Sequence, residues 1–397
     1  MSPRWFAAFC ILLLLPAPAR AGAAEKIRAL APSGLVFVMD AKGRELVARN
    51  ADRPFVPASV TKIVTAWLAM EVLGGDYRFK TRFYLGADRV LYVRGGGDPF
   101  LISEELALLA PKLVAAIGKK PLAAMVIDAG YYPKDLHLPG IEHNGKAYNA
   151  LNSALAVNFN TIHAVRRGNT VRSAEKQTPI TPLAIAQFRA RGRKGRSRIS
   201  LVQEKPELGV RYAGELLAAF LKQAGAPLEG KITLGAVPAG LKPVYVHHQS
   251  RPLSEILQQL LLGSNNYIAN QVFLELGAHR LGAPVSLKKS QKVANKLLAR
   301  HGLSKAIRLA EGSGISRRNR FTARGLAKLL KLFGPHAELL RKTRAGSRYK
   351  TGTLSDVSTL AGFAATTRHG RVRFVIALGG GKGSLRFRLL KTIEREL

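Results

Sequence analysis

The chain has 397 residues, 47% of them hydrophobic, and carries 62 Lys and Arg against 25 Asp and Glu, a formal net charge of +37. Its one cysteine, Cys10, lies in an apolar N-terminal run, so disulfides, thiolate metal sites and cysteine nucleophiles are excluded from the rest of the chain. A core at this length is supported by size rather than covalent staples, and two or three domains are expected.

Arg4, the apolar run from Phe6 to Leu15 and the small residues around Arg20 read as a signal peptide over residues 1–21. The run is shorter than the ~20 residues a spanning helix needs. Export to the periplasm or cell envelope is the expectation. From Gly34, "GLVFVMDAKGRELVARN" alternates around a Lys-Gly turn as a β-hairpin. "PASVTKIVTAWLAMEVLGG" then reads as a helix, opened by Pro57 and Ser59 and stopped by Gly74-Gly75. No charge falls between Ile63 and Met70, which predicts a helix buried on nearly every side, with Ser59 and Lys62 at its solvent end. Three residues apart, these two side chains share one face within a single turn.

From about Thr81 to Val244 the texture shifts to short apolar strands such as "RVLYVRGGGDPF" and "AAMVIDAG", followed by the helical "RYAGELLAAFLKQAG". This stretch is expected to be a mainly β insertion between two halves of one domain, with an internal break near 168–182. Arg189, Arg191, Arg193, Lys194, Arg196 and Arg198 form the densest basic run and read as a solvated loop. With export expected and no aromatic interleaved to stack a base, anionic wall polymer or a membrane surface is the implied partner, and nucleic acid is not.

Beyond Ser250, "PLSEILQQLLLGSNNYIANQVFLELGAHRLG" gives two helical patterns meeting at Gly263 to Asn266, and "SLKKSQKVANKLLARHG" gives a third. "RYKTGTL", "VSTLAGFAATT" and "VRFVIALGG" read as consecutive strands, and a final basic helix from about Ser384 closes the domain. Asp98 in "GGGDPF" reads as a turn former, and His247-His248 as a surface pair without the spaced partners of a zinc site. No metal or organic cofactor is called for.

Serine is a weak nucleophile until a neighbour takes its proton, and no histidine is placed in sequence to do so. Lys62 can serve if its ammonium is disfavoured, which burial and a second cation at Lys350 would achieve. Direct abstraction and relay through Ser264 both remain open. Ser-x-x-Lys occurs four times, at Ser59, Ser173, Ser286 and Ser347, so the string alone carries little. Only the Ser59 copy heads an uncharged helix, and Ser264-Asn265-Asn266 and Lys350-Thr351-Gly352 follow it in the order of a lysine-activated acyl-transfer site. Ser264 offers a hydroxyl for proton transfer and Asn266 an amide. Lys350, Thr351 and Thr353 offer a charge and hydroxyls for a carboxylate, and Gly352 lets the strand approach a ligand closely. The backbone N–H groups of Ser59 and Thr353 are candidates for an oxyanion hole.

With these strings, and with "GGGDPF", "YNALNSALAVNFN" and "EGSGISRRNRFT", the chain resembles the low-molecular-mass class C penicillin-binding proteins, the D-alanyl-D-alanine carboxypeptidase/endopeptidase family. The resemblance covers nearly all of the chain beyond the signal. It implies an α/β (α+β) fold: a serine transpeptidase/β-lactamase-like domain, with an antiparallel sheet flanked by helices, from residues 25–80 and 245–397, and an inserted region at 81–244. It further implies cleavage of peptidoglycan stem peptides or cross-links through an acyl-enzyme, with β-lactams as covalent inhibitors. By the same resemblance Ser59 is the nucleophile, Lys62 the base, Ser264 and Asn266 the relay and substrate binders, and Lys350 with Thr351 the carboxylate clamp. Two departures stand out: Glu311-Gly312-Ser313-Gly314 replaces the family's Asp-Gly-Ser-Gly, and "GIEHNGKA" lacks its tryptophan and aspartate, leaving Glu142 as the acid there. A β-lactamase would share nucleophile and base, but no Glu-x-x-Leu-Asn or Tyr-x-Asn string is present. The alternative from another class is a non-catalytic basic protein that binds anionic wall polymer.

Overall fold

The computed structural model describes residues 22–142, 144–201 and 207–397, so the expected signal at 1–21 lies outside the described residues. A six-stranded, fully antiparallel sheet takes its strands from both ends of the chain, in the spatial order Arg341–Lys342, Arg348–Leu354, Val357–Thr366, Gly370–Gly379, Leu35–Met39 and Glu45–Arg49. The expected N-terminal hairpin and the three C-terminal strands are all present, and Gly370 takes the positive φ of 62° that the last turn requires.

Both faces of this sheet are covered, which explains why Leu35–Met39 is apolar and buried without alternation. Phe37, Phe363 and Val375 pack on one side against Thr61–Leu73, Leu253–Gly263, Asn266–Leu281 and Ala323–Phe333. Val36, Val38, Phe374 and Ile376 pack on the other against Ala23–Ala29 and the C-terminal helix Gly383–Glu396. Leu389, Leu390 and Ile393 of that last helix are buried, so it closes the domain rather than offering an apolar face to a membrane. Among the described residues, no helix is long and apolar enough to cross a membrane.

The stretch from 81 to 244 is mixed rather than mainly β. Three helices accompany its strands: Ser103–Ile117, Pro182–Arg191 and Glu207–Gln223. Only the last of these is marked by sequence pattern: Pro111 masks the 3.6-residue period of the first, and the basic end of the second reads as loop. The helices and strands enclose a separate apolar core around Leu109, Leu113, Met125, Ile127, Leu216 and Phe220. A five-stranded sheet orders Tyr245–His248, Lys80–Leu85, Val90–Arg94, Ala124–Asp128 and Ile232–Leu234, so Tyr245–His248 pairs away from the six-stranded sheet. A three-stranded sheet is built from Thr170–Ser173, Thr161–Arg167 and Gly195–Ser200. The basic run expected as a loop is the end of the Pro182–Arg191 helix and the edge strand Gly195–Ser200; alternate strand residues there reach the core at Ile199, which orders the backbone.

His247 is not a surface residue. It is buried, with Nε2 2.8 Å from Oε1 of the buried Glu105. Asp98 makes its turn by accepting the Phe100 N–H at 2.8 Å, and its other oxygen takes the Gln249 amide at 2.9 Å. Burial pushes the Asp98 carboxyl up to about 6.

Candidate active site

Three segments distant in sequence converge at one end of the Thr61–Leu73 helix. Ser59 lies in the 3₁₀ turn Ala58–Val60 that leads into this helix, and Thr61 to Ala69 are all buried. Ala58 takes φ 49°, a left-handed conformation that costs a non-glycine residue about 1–3 kcal/mol and that turns the chain sharply before the serine. Ser264 is also left-handed, at φ 56°; it ends Leu253–Gly263, and Asn265 caps Asn266–Leu281 by accepting the Ile268 N–H at 3.2 Å. The corner therefore projects Ser264 and Asn266 from two helix ends. Lys350 lies on Arg348–Leu354, in register with Ala361 of the neighbouring strand.

The Lys62 side chain is fully buried, and its Nζ has three polar neighbours. They are Ser59 Oγ at 2.9 Å, Asn266 Oδ1 at 2.8 Å and the Ser313 carbonyl oxygen at 2.6 Å. The Asn266 amide is oriented by its other end, because Nδ2 donates to the Tyr148 carbonyl at 3.1 Å. Two of the three neighbours thus accept only. In its neutral form the amine has two N–H bonds and one lone pair, so hydrogens given to Asn266 and Ser313 would leave the lone pair for the Ser59 hydroxyl. Burial holds the Lys62 amine well below the usual lysine range, the Lys350 charge adds to this, and Glu311 opposes it.

Lys350 is also buried, and its Nζ donates to Ser264 Oγ at 2.8 Å and to the Thr351 carbonyl at 3.0 Å. Burial, then Arg341 and Arg386, brings its ammonium down to about 8. A charged amine has three donors. Two are used among the described residues, which leaves the third for an incoming oxygen.

Gly352 and Gly314 set the spacing. A Cβ at Gly352 would fall 2.2 Å from Thr359 Oγ1 and 2.7 Å from the Pro57 carbonyl, so the strand meets the serine turn through bare backbone. At Gly314, with φ +85°, a Cβ would fall 1.9 Å from the Ala58 carbonyl. Thr359 Oγ1 donates to the Pro57 carbonyl at 2.8 Å and ties the sheet to the same turn. Thr351 is half-buried beside Lys350, and Thr353 is exposed two residues on. All eight residues singled out in the sequence are therefore found on the serine turn, its helix, the interhelical corner or the adjoining strand.

Two groups were missed. The Ser313 carbonyl has no sequence signature, since any residue carries one; it is aimed by Glu311, which is buried and accepts the N–H groups of Ser313 and Gly314 at 2.8 and 2.7 Å, the Ser313 hydroxyl and the Asn319 amide. The other is Arg386, on the C-terminal helix. Its Nη1 donates to the Gly352 carbonyl at 2.8 Å, to Thr353 Oγ1 at 3.1 Å and to the Thr359 carbonyl at 3.2 Å. One arginine in a basic helix does not stand out in sequence. Glu142, considered as a substitute acid, is exposed and accepts the Asn144 amide at 2.8 Å.

The sequence matches the D-Ala-D-Ala carboxypeptidase 3 (S13) family over residues 23–197 and 195–345. It is 28% identical to a D-alanyl-D-alanine carboxypeptidase of Actinomadura sp. (strain R39), over 89% of this chain and 78% of that protein. It is also 28% identical to a carboxypeptidase DacB of Mycolicibacterium smegmatis, over 91% of this chain and 80% of that protein. Among solved structures, penicillin binding protein 4 from Haemophilus influenzae superposes with a TM-score of 0.73 at 20% identity, covering 90% of this chain and 93% of that one. Bd3459, a predatory peptidoglycan endopeptidase from Bdellovibrio bacteriovorus, gives a TM-score of 0.54 at 16% identity, with 90% of each chain covered.

Proposed function

Because the chain belongs to the D-Ala-D-Ala carboxypeptidase 3 (S13) family and is a serine-type carboxypeptidase, we propose that Ser59 is its nucleophile and the uncharged Lys62 its base. The observation that carries this reading is the saturation of Lys62 by two obligate acceptors, which leaves its lone pair for the Ser59 proton. Ser59 Oγ attacks the carbonyl between the two terminal D-alanines as Lys62 takes its proton. The C–N bond breaks, the leaving amine is protonated by Lys62 directly or through Ser264, and an ester remains on Ser59. Water, deprotonated by Lys62, then releases the shortened stem peptide as a carboxylate.

Lys350, Thr351 and Thr353 hold the terminal carboxylate, Asn266 holds the peptide backbone, and the N–H groups of Ser59 and Thr353 stabilise the oxyanion. If the leaving amine belongs to a cross-link, the same steps make the enzyme an endopeptidase. β-Lactams acylate Ser59 in place of the peptide. The reading includes export of the chain to the periplasm or cell envelope, with residues 81–244 as an insertion in a catalytic domain formed by 25–80 and 245–397, and a basic surface that meets anionic wall material.

Mass spectrometry after incubation with labelled penicillin tests the assignment. A covalent mass on the peptide bearing Ser59, absent in Ser59→Ala and reduced in Lys62→Ala, is expected. Label on another residue would overturn it.

A further inference from the structure

The three-stranded sheet of Thr161–Arg167, Thr170–Ser173 and Gly195–Ser200 is two-sided. Ile162, Ala164, Val171 and Ile199 are buried in the core on one side. The register places Val165 opposite both Arg172 and Arg196, and Arg167 opposite Thr170, so Arg167, Arg172 and Arg196 share the other side. All three are exposed, and none has a carboxylate partner among the described residues. The acid on this side, Glu175, is engaged by Arg198 and His163. A cleft of about 420 Å³ opens here, lined by Val165, Arg167, Thr170, Arg172 and Ser173.

This sheet adjoins the rim of the active site through backbone. The Ser200 N–H donates to the Gly145 carbonyl at 2.9 Å, and Lys146 bridges to Ile199. That loop continues to Tyr148, whose carbonyl orients Asn266. This contact is made at the Thr161–Ser200 end of the sheet, and the arginines lie towards its other end, with Arg167 about 20 Å along the strand from Thr161.

We propose that the arginine face of this sheet is an exosite for a linear phosphodiester polymer of the cell wall, which holds the enzyme beside the stem peptides it cleaves. The proposal rests on the envelope reading above. A guanidinium fork matches paired phosphate oxygens, and a repeating phosphate meets several forks at once, so weak contacts add through the chain. The concave shape favours a strand over a bilayer, and among the described residues the cleft presents no exposed aromatic or long apolar side chain to enter lipid. Among the described residues, no aromatic lines it to stack a base.

The test compares binding of poly(glycerol phosphate) to the full protein, to Arg167→Gln/Arg172→Gln/Arg196→Gln and to a control, Lys288→Gln/Lys292→Gln/Lys296→Gln, which removes equal charge from another exposed surface. The arginine variant is expected to bind at least tenfold more weakly, with a log–log salt slope reduced by about two for three phosphate contacts; the control is expected to change little. Equal losses in both variants would make binding a property of overall charge and overturn the exosite. So would tighter binding to phosphatidylglycerol vesicles or to polyglutamate than to poly(glycerol phosphate). Penicillin labelling of Ser59 is read in the same samples. Unchanged labelling shows that each variant is folded, whereas no labelling of the parent protein would sink the catalytic reading and leave the exosite to be judged on polymer binding.

Discussion

Lys62 and Ser313, 251 residues apart, are joined by a 2.6 Å hydrogen bond from the lysine amine to the serine's backbone carbonyl. In the proposed base role of Lys62, this bond would consume a lysine hydrogen that otherwise competes with the Ser59 proton, and Glu311 fixes the turn that supplies it. Glu311→Gln should therefore impair acylation without touching substrate. A glutamine would turn N–H groups towards donors that now meet carboxylate oxygen, costing about 2–4 kcal/mol. Thermal unfolding together with the rate of penicillin acylation checks this; wild-type values for both would refute the role given to the turn.

The base assignment predicts a loss of about 10²- to 10⁴-fold in acylation for Lys62→Met. Lys62→Arg should not rescue it, since a guanidinium keeps its proton at working pH. Stopped-flow acylation with a chromogenic β-lactam measures both variants.

The pH profile of kcat/KM for a peptide ending in a free carboxylate should have two limbs. On the acid side activity falls as Lys62 becomes protonated, at a pH well below the ordinary lysine range. On the alkaline side it falls as Lys350 loses its charge, with an apparent pKa of about 8. Lys350→Arg should abolish the alkaline limb, because arginine does not titrate there, and leave the acid limb in place.

Arg386 depresses Lys350 and holds both Gly352 and Thr353, so Arg386→Met should act on two readouts. Removing the nearby cation moves the alkaline limb to higher pH. Loss of the brace on Thr353 raises KM for a carboxylate-ended peptide more than it lowers kcat. An unchanged limb and an unchanged KM would remove Arg386 from the site.

Gly314→Ala tests the packing of the serine turn. The positive φ and the close approach to the Ala58 carbonyl together cost about 2–4 kcal/mol, by strain plus overpacking. Ser264→Ala and Ser264→Gly should lose activity alike, while the glycine variant, free of the left-handed strain, is more stable by about 1 kcal/mol. Chemical denaturation of the pair measures the difference.

The amino-acid order is enough to specify the elements whose chemistry is local. The uncharged run Ile63 to Met70 dictates a buried helix, Gly263 to Asn266 dictates a helix corner, and "VSTLAGFAATT" and "VRFVIALGG" dictate strands, with the polar "RYKTGTL" reading as a strand beside them. The Ser103–Ile117 helix and the ordered basic strand Gly195–Ser200 are not specified in this way, because their burial comes from partners far along the chain that override local polarity. Long-range packing is what turns the Ser313 carbonyl to Lys62, sets Tyr148 to orient Asn266 and brings Arg386 to Gly352. Those bonds involve backbone groups or a common arginine, whose identity says nothing about where they point until the packing of distant segments fixes them.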